Sequence, residues 1–290
     1  MKKFSLFFAL TLFTAVVFGQ VKKTVATKMT TSMACCAKSA TQQFAMLTAN
    51  KKFVMSHATP KPIHFQSSIG KPVTYKTPDG ATSTAYELKA KNPTNNYLIV
   101  IHEYWGLNDY IKKESETLYN DLGNVNVIAL DLYDGKVATT QQDAGKYMQA
   151  VKDDRAQAII KGAIAYAGSK ARIATIGWCF GGGWSLQASL LAGKQDVACV
   201  MYYGMPEQSV DRLKMLNADV LGNFANKDQW INTKVVAQFE ANMKAAGKKL
   251  YLHQYDADHA FANPSSPNAN NEAAKSAYEF TLAYLKPRLK

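Results

Sequence analysis

The chain of 290 residues is poor in cysteine, with four: Cys35, Cys36, Cys179 and Cys199. That count could make two disulfides. However, Cys35 and Cys36 are adjacent and the other two sit in strongly patterned apolar segments, which argues against a disulfide framework. No metal-ligand spacing is present, so neither a metal nor another cofactor is expected. Dense Lys/Arg runs are missing too. The formal charge of +12 is spread over the chain, whereas nucleic-acid binding leaves a clustered basic footprint, and no nucleic-acid partner is expected. Long apolar runs are confined to one, Phe4 to Phe18, too short for a comfortable membrane span. Internal repeats are absent, as is any linker long enough to divide the patterned region.

What is present begins with MKKFSLFFALTLFTAVVFGQ, two lysines followed by that apolar run and a small residue, Gly19. This fits a secretory signal peptide over residues 1–19 and an exported, periplasmic or secreted protein. A lipoprotein would need a cysteine directly after the run, and the nearest is Cys35. Residues Gln20 to Pro62 are rich in Thr, Ala, Ser, Met and Lys, with helical potential around Thr41 to Met55. They read as an N-terminal extension outside the main fold, without a derived function, and Cys35 and Cys36 fall within it. The main domain is expected at 63–290, as a monomer or weak oligomer.

That domain opens with KPVTYKTPDGATSTAYELKA, which alternates about Pro78-Asp79-Gly80 as an antiparallel hairpin does. Continuous apolar runs then recur: YLIVIH (Tyr97 to His102), VNVIALDLY (Val125 to Tyr133), ARIATIGW (Ala171 to Trp178), VACVMYYG (Val197 to Gly204), DVLGNFAN (Asp219 to Asn226) and KLYLHQY (Lys249 to Tyr255). Such runs read as parallel strands buried on both faces, and Cys199 as a small buried residue on one of them. Helical patterns lie between them: one capped by Asp109 and ending at Gly123, others near Gln142 to Ala167, Gly181 to Ala192, Thr233 to Ala246 and Asn271 to Leu285. The alternation predicts an α/β fold, a mostly parallel open sheet with helices on both faces.

In IGWCFGGGWS, Cys179 ends one such strand and opens a helix, with glycines two residues before and after it. This is the context of a nucleophile elbow, with cysteine where serine is usual, at a helix N-terminus that favours a thiolate. Alone the pattern is weak, and a structural turn explains it as well. Asp228 directly follows DVLGNFAN and His259 directly follows KLYLHQY, which gives the chain order nucleophile, acid, base at the carboxyl ends of strands. Asp256 and Asp258 adjoin His259 and more naturally shape its loop. His57, His64, His102 and His253 lie in the extension, before the hairpin or on strands, and are expected to be poorer bases. His102-Glu103-Tyr104-Trp105-Gly106 follows YLIVIH, so the backbone N–H groups of Tyr104 and Phe180 can converge on a developing oxyanion. Glu103 is anomalous there, since a carboxylate repels that charge.

HEYWGLNDYIKKESETL, DLYDG, GWCFGGGWS, YYG, the Asp228 segment and DHAFAN together, over roughly Lys71 to Lys286, resemble the dienelactone hydrolase family of α/β-hydrolases. The resemblance implies a Cys179, Asp228 and His259 triad with Glu103 as a switch that holds the resting thiol, and hydrolysis of a small-molecule ester or lactone through a thioester. It departs at Asn263, where family members that bind the dienelactone carboxylate carry an arginine; Lys146 and Arg155 are substitutes that do not align securely. Trp105, Tyr133, Trp178 and Phe261 are candidates for an aromatic pocket, with core packing as the competing role. Thioester or peptide-like acyl substrates and a non-catalytic binding module are the alternative readings.

Overall fold

The computed structural model describes Met1 and residues 38–290. The expected signal peptide, Cys35 and Cys36 lie outside the described residues. Eight strands form one sheet: β1 (Lys71–Lys76), β2 (Thr82–Leu88), β3 (Asn96–Ile101), β4 (Asn126–Leu130), β5 (Arg172–Trp178), β6 (Asp196–Tyr202), β7 (Val220–Ala225) and β8 (Leu250–Tyr255), in the order β1-β2-β4-β3-β5-β6-β7-β8. β1 pairs antiparallel with β2 from Lys71 opposite Glu87 to Lys76 opposite Thr82, and β2 pairs antiparallel with β4. The remaining pairs are parallel. The expected α/β-hydrolase fold is the one observed, N-terminal hairpin included. Pro72, which lacks an N–H, is accommodated because β1 lies at the sheet edge.

Burial follows the sequence runs. Every residue of β4 is buried and all but the first of β5, as a strand covered on both faces requires. The helices in chain order are α1 (Ala40–Ala45), α2 (Lys51–Ser56), α3 (Asp109–Leu122), α4 (Gln141–Ala150), α5 (Asp153–Ala167), α6 (Phe180–Ala192), α7 (Val210–Leu213), α8 (Thr233–Ala245) and α9 (Asn271–Leu285). α3 buries Ile111, Ser115, Leu118 and Tyr119 and stops at Gly123, as its periodicity predicts. Its cap differs: the Asn108 side chain accepts from the Ile111 N–H, while Asp109 accepts from the Phe65 N–H. The single helix expected near Gln142 to Ala167 is two, because Val151 turns extended (φ −65°, ψ 117°) and a new helix starts after Lys152. No described helix is long and apolar enough to cross a membrane.

The largest departure is at the N-terminus. Residues 38–62 do not stand outside the fold; Lys38 to Lys290 form one compact unit. α1, a 3₁₀ turn at Met46–Ala49 and α2 cover the helical stretch read from the sequence, and together they form a strap. Ser39 caps α1 with a reciprocal capping box to Gln42, and Asn50 caps α2. Phe44 and Phe53 are buried, their rings meeting edge to face at 5.6 Å, so the strap contributes to the core like any other element.

Candidate active site

β3 is flanked by β4 on one side and β5 on the other, so chain progression reverses between β3 and β5, and their carboxyl ends open a crevice at this switch point. Glu103 follows β3 and Cys179 follows β5. Cys179 sits at φ 56°, ψ −119°, a conformation costly for a side chain and characteristic of a tight strand-to-helix turn. The neighbouring glycines make the turn feasible. A Cβ on Gly177 would collide with the Gly181 carbonyl, and one on Gly181 with the carbonyls of Ile101 and His102. The Cys179 N–H donates to the Tyr202 carbonyl at 2.9 Å, which pins the elbow to β6.

Cys179, Asp228 and His259 come together as the sequence predicts. Cys179 Sγ lies 3.3 Å from His259 Nε2, and His259 Nδ1 donates to Asp228 Oδ2 at 2.6 Å. Asp228 Oδ1 accepts from the N–H groups of Trp230 (2.8 Å) and Ile231 (2.9 Å), so the carboxylate is fixed on both oxygens. Burial disfavours a charged imidazole at His259, but the Asp228 carboxylate and the Cys179 thiol outweigh it and hold its pKa well above the usual range. Burial would likewise raise Asp228, yet the facing imidazole keeps it below the ordinary carboxylate value. At Cys179, burial pushes the thiol up, while His259 and the Phe180 N–H pull the other way. Asp256 pairs with Lys227 at 3.0 Å and Asp258 is exposed, so both belong to the loop surface.

Glu103 is buried but does not hold the thiol. Its Oε2 accepts from Asn263 Nδ2 at 3.0 Å, while the sulfur faces imidazole instead. The expected resting contact is therefore replaced by an Asn263 contact, and the residue standing where an arginine was anticipated is the one that anchors Glu103. Burial raises the Glu103 pKa to about 7, with the Asn263 hydrogen bond opposing. The Phe180 N–H points at Cys179 Sγ, and among the described residues the Tyr104 N–H finds no acceptor. Tyr133 donates its hydroxyl to the Tyr104 carbonyl at 3.2 Å and so holds that peptide in place.

Beside Glu103 lies a cavity of about 50 Å³, lined among others by Trp105, Trp178, Glu114 and Asn263. Two of the four pocket candidates, Trp105 and Trp178, thus face it. The other two do not: Tyr133 packs on His102 and Phe180, and Phe261 is wholly buried between Tyr203 and Tyr255 behind His259. Arg155 is consumed by Asp79 and Asp134, tying the hairpin to α5, and Lys146 is an exposed residue of α4. The cavity wall carries no lysine or arginine; it carries a second, partly buried carboxyl, Glu114, also raised by desolvation to about 7.

Sequence reasoning missed His57. From the strap its Nε2 reaches to 3.8 Å from Cys179 Sγ, and its Nδ1 lies 2.7 Å from the Phe53 carbonyl. Its ring packs at 4.6 Å against Tyr104, the planes tilted by 38°, while Phe53 and Phe44 sit 6.3 Å and 6.2 Å from the His259 ring. The strap therefore roofs the site, and Cys179 is 0 % exposed and His259 2 %. The available signal was local: Phe53 and His57 are four apart, on one helical face, in a segment with helical potential.

A buried thiol, imidazole and carboxylate in this order on this sheet define a hydrolase of the α/β-hydrolase class with a cysteine at the elbow. The profile of the dienelactone hydrolase family matches residues 84–289, and the chain belongs to that family, whose hydrolases act on ester and lactone bonds. The carboxymethylenebutenolidase of Pseudomonas sp. (strain P51) is 32% identical over 132 residues, which is 44% of this chain and 54% of the relative. Carboxymethylenebutenolidase 1 of Cupriavidus pinatubonensis is 25% identical over 225 residues, covering 71% and 92%. In structure, the dienelactone hydrolase-like promiscuous phosphotriesterase P91 from metagenomic libraries superposes with a TM-score of 0.65 at 16% identity, over 77% of this chain and 99% of that one, and supports the fold. The strap lies outside the matched family region.

Proposed function

We propose that the protein is an exported thiol hydrolase that cleaves uncharged carboxylic esters or lactones through a thioester on Cys179. The observation that carries this reading is the aligned run from Cys179 Sγ through His259 to Asp228 at a strained elbow. In the reaction His259 Nε2 takes the thiol proton as sulfur attacks the carbonyl carbon. The N–H groups of Tyr104 and Phe180 stabilise the oxyanion, and the imidazolium returns the proton to the departing alkoxide as the thioester forms. His259 next removes a proton from water, the resulting hydroxide adds to the thioester, and the acid leaves as the thiol is regenerated.

The uncharged substrate class is supported by the cavity beside Glu103, whose wall carries the carboxyls of Glu103 and Glu114 and no cation to pair with a substrate carboxylate. The relatives named for carboxymethylenebutenolide support lactone chemistry, while Asn263 at the anticipated arginine position favours a neutral lactone or ester over that acid. Export is supported by the lysines and apolar run at the N-terminus. The test is hydrolysis of para-nitrophenyl acetate, a longer ester, a simple lactone, dienelactone and a thioester by wild type beside Cys179→Ala. Activity on neutral esters or lactones that vanishes in the variant is expected; a preference for dienelactone or for the thioester would overturn the substrate class, and activity retained in Cys179→Ala would overturn the nucleophile.

A further inference from the structure

Linear spacing offers no metal-ligand set, but folding assembles one: His57 and His259 lie 122 and 80 residues from Cys179 in the chain. The sulfur is 3.8 Å from His57 Nε2 and 3.3 Å from His259 Nε2, and the three donor atoms all lie within 4.8 Å of one another. A zinc-like cation bound tetrahedrally at about 2.3 Å from sulfur and about 2.0–2.1 Å from nitrogen holds such donors roughly 3.3–3.6 Å apart. The two sulfur–nitrogen separations already lie near that span, and rotation of the two rings closes the nitrogen–nitrogen separation, which is within 4.8 Å.

Ring orientation points the same way. The Phe53 carbonyl and the Asp228 carboxylate can only accept, so both Nδ1 atoms carry protons, donated at 2.7 Å and 2.6 Å. The His57 Nε2 then turns a lone pair to the sulfur, while the His259 Nε2 shares the single thiol proton with it. Outward Nδ1–H bonds to a carbonyl and a carboxylate are the second-shell arrangement that fixes metal-binding histidines. A single thiol proton cannot serve two acceptors, and all three side chains are buried, which keeps the unserved nitrogen from bulk water.

We propose that His57, Cys179 and His259 form a site for a borderline-to-soft cation of the Zn²⁺ class, whose binding silences the thiol. On loading, one sulfur–metal and two nitrogen–metal bonds form, the proton shared by Cys179 and His259 leaves to solvent, and no electron is transferred. The lone pairs needed for attack and for general base catalysis are then occupied, and a chelator reverses the block. His57 comes from the strap, outside the matched family region. The site stands whether or not the hydrolase reading does.

The test uses the full chain with Cys35→Ser and Cys36→Ser, which leaves buried Cys199 as the one thiol besides Cys179, titrated with Co²⁺ under reducing conditions. One equivalent should produce a thiolate-to-cobalt charge-transfer band, displaced by Zn²⁺, with any hydrolysis lost at the same stoichiometry and restored by chelator. His57→Gln should weaken Zn²⁺ binding by more than the about 10- to 100-fold that loss of an outer-shell partner costs. His253→Gln, on a ring stacked against Phe280, should leave binding unchanged. Phe53→Leu keeps every donor and the apolar contact of the strap and should bind Zn²⁺ more tightly than His57→Gln; equal weakening in the two, with the strap still protected from amide exchange in Phe53→Leu, would overturn His57 as a ligand. Absence of the band in the parent, or full affinity in His57→Gln, would overturn the site. A protein that binds cobalt but hydrolyses nothing would instead sink the hydrolase reading alone.

Discussion

A thiol as deeply buried as Cys179 is by itself a poor nucleophile, since burial opposes the thiolate; what offsets this is the imidazole at 3.3 Å and the Phe180 N–H. Asp228→Asn, which leaves the geometry in place but reverses the tautomer of His259, should lower kcat by about 10⁴-fold. Steady-state kinetics with circular dichroism as the folding control checks it. Glu114 gives a pH prediction. Its pKa is raised from 4.5 to about 7, so the folded state holds a proton that the unfolded chain has lost. Its stabilising contribution is complete below pH 4.5 and is lost as pH rises to about 7, with a ceiling of about 3 kcal/mol, lowered by the solvent contact it retains. Glu114→Gln should flatten the melting temperature over that window; an unchanged slope would contradict the assignment. Cys179, Asp228 and His259 were legible because each follows a recognisable strand. His57 was not, because its partners lie on other elements far along the chain. Nor was the Asn263 contact to Glu103, which depends on side-chain placement that no pattern encodes.

At the scale of elements, the elbow and the strap carry the site. Gly181→Ala puts a methyl into the carbonyls of Ile101 and His102, backbone atoms that cannot step aside. A loss of stability of about 3 kcal/mol or more is expected, read as a fall in the denaturant midpoint at constant m. Phe53 locks the strap onto Phe44, Tyr104 and Trp230. Phe53→Ala should cost about 3–5 kcal/mol of strap docking. Iodoacetamide labelling of Cys179 should then accelerate at least about tenfold, with faster amide exchange over residues 40–57; unchanged labelling would mean that the strap does not control access. The strands and their order were readable as continuous apolar runs, and the hairpin from its alternation about Pro78-Asp79-Gly80. The break between α4 and α5 was not, because Val151 and Lys152 carry no glycine or proline to announce it. Docking of the strap was hidden too, since helical potential does not say which surface an apolar face packs against, and the partners of Phe44 and Phe53 lie far along the chain.

At the scale of the whole molecule, the sheet places the ends of β3 and β5 side by side, so Glu103 and Cys179 come to the same crevice although 76 positions separate them in the numbering. The chain carries a formal charge of +12, while the cavity wall carries Glu103 and Glu114 and no lysine or arginine. The most direct measurement is the mass of the protein, quenched within the first turnovers on para-nitrophenyl acetate, followed by peptide mapping. One acetyl group on the peptide carrying Cys179, absent in Cys179→Ala, is the expected result. Hydrolysis with no acyl group on that peptide, or an acyl group carried elsewhere, would contradict a thioester on Cys179.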